Sequence, residues 1–138
     1  MDLGNYYIDA ERSITGTWVE VDADGTALLI GRAAGISYMT HFRSLMTDDY
    51  IARERKGEDM QAEQESILTQ SLADCVLLGW KGLTIDGEDV KYSKEKAFEI
   101  LSDPNYTSFR DLVAAHGVNN ENFKRKVEED GLDNVKKS

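Results

Sequence analysis

Residues able to do chemistry are few in this chain, and each stands without the partners its chemistry needs. Ser93-Lys94-Glu95-Lys96 has the S-x-x-K spacing of a serine nucleophile and its lysine. The companion segments S-D-N and K-T-G are absent, and 138 residues are too few for the fold that carries them. Ser93 reads better as a helix cap. Glu20-Val21-Asp22-Ala23-Asp24-Gly25 has the opening spacing of an EF-hand calcium loop. Its twelfth position is Gly31, where a bidentate glutamate is needed, and its flanks read as strands. His41 has no second histidine, cysteine pair or acidic partner at a working spacing. Cys75 is the sole cysteine, so an intramolecular disulfide is impossible, and it reads as a small hydrophobe on a buried face. G-x-S-x-G, P-loop, G-x-G-x-x-G, H-E-x-x-H and C-x-x-C patterns are all missing. The many carboxylates lack an apolar setting beside a plausible partner. The residues therefore predict no catalytic, cofactor-binding or metal-ligating position, and no enzyme.

Charge narrows the remaining classes. The chain carries 26 acidic against 16 basic residues, a net charge of −10, which repels nucleic acid and anionic membrane. No apolar run approaches the roughly 18 residues of a membrane helix. The start, MDLGNYYIDAERS, has neither a basic nor an apolar leader region, which predicts a cytosolic protein.

The elements that must position these residues centre on residues 64–80, QESILTQSLADCVLLGW. Ile67, Leu68, Leu72, Cys75, Val76 and Trp80 recur at i, i+4, i+8, which predicts one helix as the spine of the fold, with Leu77 and Leu78 widening its buried stripe. Residues 1–16 show no period and are expected to be mobile at their start. Residues 17–32 carry apolar runs on either side of Asp24-Gly25, the mark of a hairpin with a type I′ turn. After a break at Ala33-Ala34-Gly35, residues 37–46 predict a helix capped by Ser37, with Tyr38, Phe42, Leu45 and Met46 on one face. Thr47-Asp48-Asp49 opens another helix.

Residues 48–65 hold seven acidic and three basic side chains, a solvated helix or connector loosened at Gly57, or else an acidic docking face. Lys81-Gly82 is a stop signal, and Asp86-Gly87 marks a small hairpin or ordered loop. Ser93 caps a helix over 94–101 with Ala97, Phe98 and Leu101 inward, ended by Asp103-Pro104. A helix from Thr107 or Ser108 to His116 turns Phe109, Leu112 and Val113 inward. Asn119 or Asn120 caps a last helix through Phe123 and Val127, and 131–138 reads as a disordered tail. The sum is an α+β, mainly α fold. It is a single domain, an N-terminal β-hairpin packed on a bundle of about five helices.

An ordered set of segments adds a family likeness. Trp80-Lys81-Gly82-Leu83 closes the spine. Asp86-Gly87-Glu88-Asp89-Val90-Lys91-Tyr92-Ser93 follows, then Phe109-Arg110-Asp111-Leu112-Val113 and Asn122-Phe123, with the hairpin from Trp18 to Arg32 upstream. This order resembles the tail assembly chaperones of long-tailed (siphovirus) bacteriophages, over residues 17–130. The resemblance implies a noncatalytic chaperone in the cytoplasm of the bacterial host. It would bind the tape measure protein, assist polymerisation of the tail tube, and be absent from the mature virion. It also implies a longer, frameshifted form whose extension recruits the tail tube protein; Lys136-Lys137 is compatible with a slippery codon stretch. Self-association along the tape measure is a further expectation. A helix-in-groove contact would fall on Tyr38, Phe42, Leu45 and Met46. The alternative is a head–tail connector or tail completion protein that stays in the virion.

Overall fold

The computed structural model describes residues 1–124. Strands β1 (Thr17–Glu20) and β2 (Ala27–Ile30) pair antiparallel from Thr17↔Ile30 to Glu20↔Ala27, so the expected hairpin is present. Its turn differs from expectation. Ladder pairing stops at Glu20↔Ala27, which leaves a loop over 21–26 instead of a two-residue turn, and within that loop only Gly25 has positive φ (89°). The Asp22 carboxylate closes the loop by accepting from the amides of Asp24 (3.0 Å) and Thr26 (3.1 Å). The amide and hydroxyl of Thr26, and then the Asp24 amide, hold the Asp22 carboxyl below its usual pKa.

The 64–80 spine is helical for only part of its length. Helix α4 covers Gln61–Ser71, a π-helical turn covers Leu72–Val76, and Leu77–Lys81 is strand β3. β3 pairs antiparallel with β2, from Ala27↔Lys81 to Ile30↔Leu77, and a bulge sits between Leu29 and Ile30. This corrects the expectation of one helix through Trp80. The physical reason is tertiary. A short apolar run such as Val76-Leu77-Leu78-Gly79-Trp80 fits a buried strand as well as a helix face, and glycine weakens the helix. A two-stranded hairpin alone is marginal, and pairing with β3 gives β2 a partner on its second edge. The sheet order is β1-β2-β3.

The remaining elements wrap this sheet and turn. Helix α1 (Ala10–Thr15) is capped by Asp9, and the Ser13 carbonyl accepts from the Arg32 amide at 2.9 Å, which ties residues 1–16 to the end of β2. Helix α2 (Gly35–Ser44) begins two residues before Ser37, with Ala34 at the cap position and no side-chain cap, so Ser37 does not cap it. Helix α3 (Asp48–Arg55) opens at Thr47-Asp48-Asp49 as expected, the Thr47 side chain caps it, and the chain turns at Gly57 (φ 81°). Strands β4 (Thr84–Ile85) and β5 (Glu88–Asp89) form a small hairpin whose turn residues, Asp86 (φ 53°) and Gly87 (φ 83°), both have positive φ. The two-residue turn with positive φ at both positions sits here, not at Asp24-Gly25.

Helix α5 (Lys94–Ser102) starts at the expected Ser93 cap, which accepts from the Lys96 amide at 3.0 Å, and buries Ala97, Ile100 and Leu101. Helix α6 (Thr107–Val118) buries Val113 and Gly117; Leu112, expected inward, is 37% exposed. Asn119 caps a short 3-10 turn over Asn120–Phe123 instead of a longer helix. Val127 and the 131–138 tail lie outside the described residues.

The main core gathers Leu28, Ile30, Leu72, Val76, Leu77, Trp80, Leu101, Val113 and Phe123. A smaller cluster of Tyr50, Met60 and Ile67 lies beside it. The fold is thus α+β and mainly helical, with six α-helices among the described residues and a small antiparallel sheet in one domain.

Candidate functional site

The helical stripe on α2 divides once the chain is folded. Tyr38 is 8% exposed, and its hydroxyl lies 3.0 Å from the Ser71 hydroxyl, so it is a core residue. Leu45 packs against the small Tyr50–Met60–Ile67 cluster. Phe42 and Met46 line an open groove of about 390 Å³ between α2, α3 and α4. The other lining residues are Tyr50, Glu54, Gln64, Glu65, Ile67 and Leu68. Sequence reasoning missed this half of the site. Tyr50 sits in a polar stretch that hides it, and Leu68, whose spacing places it on the buried spine, is 36% exposed.

The groove has an apolar floor and a rim of carboxylates. Tyr50 donates from its hydroxyl to Glu54 Oε2 at 3.0 Å. Glu65 Oε2 accepts from Arg110 Nη1 at 2.8 Å, linking α4 to α6. A concave apolar surface with few polar groups and an unhindered mouth can seat side chains of a partner helix. No group of three or more His, Cys, Asp or Glu side chains among the described residues could hold a metal ion. No helix of the described residues is long and apolar enough to cross a membrane.

The structure corrects the reading of His41. Its Nε2 lies 2.8 Å from Asp74 Oδ2, while Asp74 Oδ1 accepts from Gln70 at 2.9 Å. The pair is 33 residues apart in sequence and meets because the π-helical turn presents Asp74 toward α2. Spacing could not reveal it.

The neighbouring Cys75 lies in the wall of a second groove of about 340 Å³ that also includes Arg32, Ser37 and Asp74. Burial first, and then the charge of Asp74, push the Cys75 thiol above its ordinary value of 9.0, while Lys94 pulls weakly the other way. A thiol so placed is a poor nucleophile. Alkylation by iodoacetamide at neutral pH should run slower than for a free cysteine peptide, since only the thiolate reacts. Mass spectrometry over time reads this directly, and a rate equal to the peptide's contradicts it.

The family model described as YdaY prophage protein matches residues 34–134. That range begins just before α2, so every residue lining the α2–α3–α4 groove falls inside it. No curated protein and no solved structure matches the chain.

Proposed function

The chain belongs to the YdaY prophage protein family, and from that premise we propose that it is a noncatalytic tail assembly chaperone. In this reading it covers apolar helical surface of the tape measure protein in the bacterial cytoplasm, assists tail tube polymerisation, and leaves before the virion is complete. A longer frameshifted form would bring in the tail tube protein. One observation carries the reading: the groove lined by Phe42, Met46, Tyr50, Ile67 and Leu68 is apolar, open and wide enough for side chains of a partner helix. The high net charge of −10 suits a protein that must keep a sticky client dispersed. The ordered segments from Trp80 to Phe123 that resemble the siphovirus chaperones support the same reading.

The test uses Leu68, which is exposed in the groove, rather than Phe42, which packs against both core clusters and whose loss would disturb the fold. Leu68→Ser should keep its circular dichroism spectrum and lose about tenfold or more in capture of a tape measure protein from the same prophage, as central apolar contacts do. Undiminished capture by the folded variant removes the groove from the mechanism. Mass spectrometry of purified virions supplies the second arm. A chaperone is absent from them, whereas stoichiometric presence would favour a head–tail connector.

A further inference from the structure

The geometry points to a second site, independent of the α2–α3–α4 groove: the concavity walled by Cys75 takes the carboxylate of a small apolar molecule, held by Arg32 beside the N-terminus of α2. Arg32 is half-buried, and no carboxylate among the described residues lies within ion-pair distance of it. Its one side-chain hydrogen bond is long, from Nη2 to Asn120 Oδ1 at 3.4 Å. Its Nε is the single buried side-chain polar atom among the described residues that finds no partner. Native proteins rarely leave such a donor unsatisfied, so Arg32 calls for an acceptor that the chain itself does not supply.

A second source of positive potential lies beside it. A Cβ on Gly35 would come within 3.1 Å of Arg32 Nη1, so the guanidinium rests against the first residue of α2. That ten-residue helix has Ala34 at its cap position, and no side chain caps its first-turn amides. Arg32, this positive helix end and Ser37 share the wall of a concavity of about 340 Å³. Ile8, Ile14, Ile36 and Leu78 supply apolar wall. The one carboxylate there, Asp74, has its oxygens engaged by His41 (2.8 Å) and Gln70 (2.9 Å). A single unpaired cation beside apolar wall selects a singly charged acid with an apolar body over a phosphate, and the volume suits a small molecule. A slight turn of the Arg32 side chain sets Nε and a terminal nitrogen on the two carboxylate oxygens, the paired geometry that guanidinium favours, and gives the orphaned donor its acceptor.

The experiment titrates the full, 15N-labelled chain with hexanoate and with hexanamide, which is alike in shape but uncharged, and follows the backbone amide signals. Hexanoate should shift Ile36 and Ser37 saturably and bind about tenfold tighter than hexanamide, as a charge-assisted pair does. Arg32→Gln should remove that margin. Ile36→Glu, at a position 88% exposed, sets a repelling charge at the mouth without touching the core. It should weaken hexanoate about tenfold and leave hexanamide unchanged. A free acid and the C-terminus of an apolar peptide offer the same chemistry; acetyl-Gly-Gly-Leu with a free carboxylate separates them, and the tighter of the two acids names the source. Equal binding of hexanoate and hexanamide overturns the carboxylate assignment. No saturable shift with either acid overturns the site. A margin kept in folded Arg32→Gln overturns the part given to Arg32, and if that variant does not fold, an unchanged margin in Ile36→Glu overturns the placement at α2. None of these outcomes bears on the helix-docking groove.

Discussion

Gly31→Ala should lower the melting temperature steeply. A Cβ at position 31 would stand 2.0 Å from the backbone carbonyl oxygen of Cys75, in the π-helical turn. The same glycine donates its amide to the Val76 carbonyl at 2.8 Å, so β2 and the turn are locked together at this point. A flexible side chain could rotate away from an added methyl group, but a carbonyl held in a turn cannot. Overpacking usually costs about 1–3 kcal/mol and more where nothing yields, so about 3 kcal/mol or more is expected here. For a chain of this size that lowers the melting temperature by about 10 °C or more. Gly79→Ala is the control. The nearest atom to its added Cβ is Leu29 Cβ at 3.4 Å, at the edge of ordinary contact, and its cost should stay within about 1 kcal/mol. Thermal melts followed by circular dichroism compare the two, and equal melting temperatures would contradict the locked junction.

Phe123→Ala should be nearly as damaging. Phe123 is 0% exposed and lies in the last described turn, packed into the main core. Its carbonyl accepts from the Asp9 amide at 2.8 Å, which joins the far end of the described chain to the start of α1. Truncating a fully buried phenylalanine costs about 3–5 kcal/mol through lost burial and the cavity left behind. Leu112→Ala, at an exposed position of α6, should change stability by no more than about 0.5 kcal/mol. Urea denaturation measures both variants. Limited proteolysis should also show faster cleavage near residues 1–16 in Phe123→Ala alone. A Phe123→Ala midpoint equal to that of Leu112→Ala would show that the ring is not part of the core.

Local signals in the sequence were legible where local chemistry decides the outcome. Thr47 and Ser93 cap helices because a hydroxyl followed by free amides needs nothing from elsewhere in the chain. Asp103-Pro104 ends α5 for an equally local reason. The two Asp-Gly pairs show where that legibility stops. They are the same dipeptide, yet Asp86-Gly87 makes the tight turn and Asp24-Gly25 does not, because the ladder of β1 and β2 stops at Glu20↔Ala27 and leaves a six-residue loop over 21–26. The segment after Ser71 departs from its helical periodicity because a strand partner about 50 residues upstream settles its conformation. In the groove, Phe42 and Met46 were visible as half of an apolar stripe. Which members of a stripe meet the core and which stay open depends on the neighbours, so Tyr38 turned out buried and Leu68 exposed. The His41–Asp74 contact has no sequence signature at all.

The sheet order β1-β2-β3 leaves two outer strands, four and five residues long. Each ends on an exposed charged residue, Glu20 or Lys81, and Lys81 Nζ sits 3.9 Å above the ring of the exposed Trp18. The Tyr92 hydroxyl donates to the Leu77 carbonyl at 3.2 Å, occupying an acceptor on β3. Such abbreviated, charged margins are poor templates for amyloid-type stacking. At high concentration, copies of this molecule would have little open backbone ladder through which to join one another.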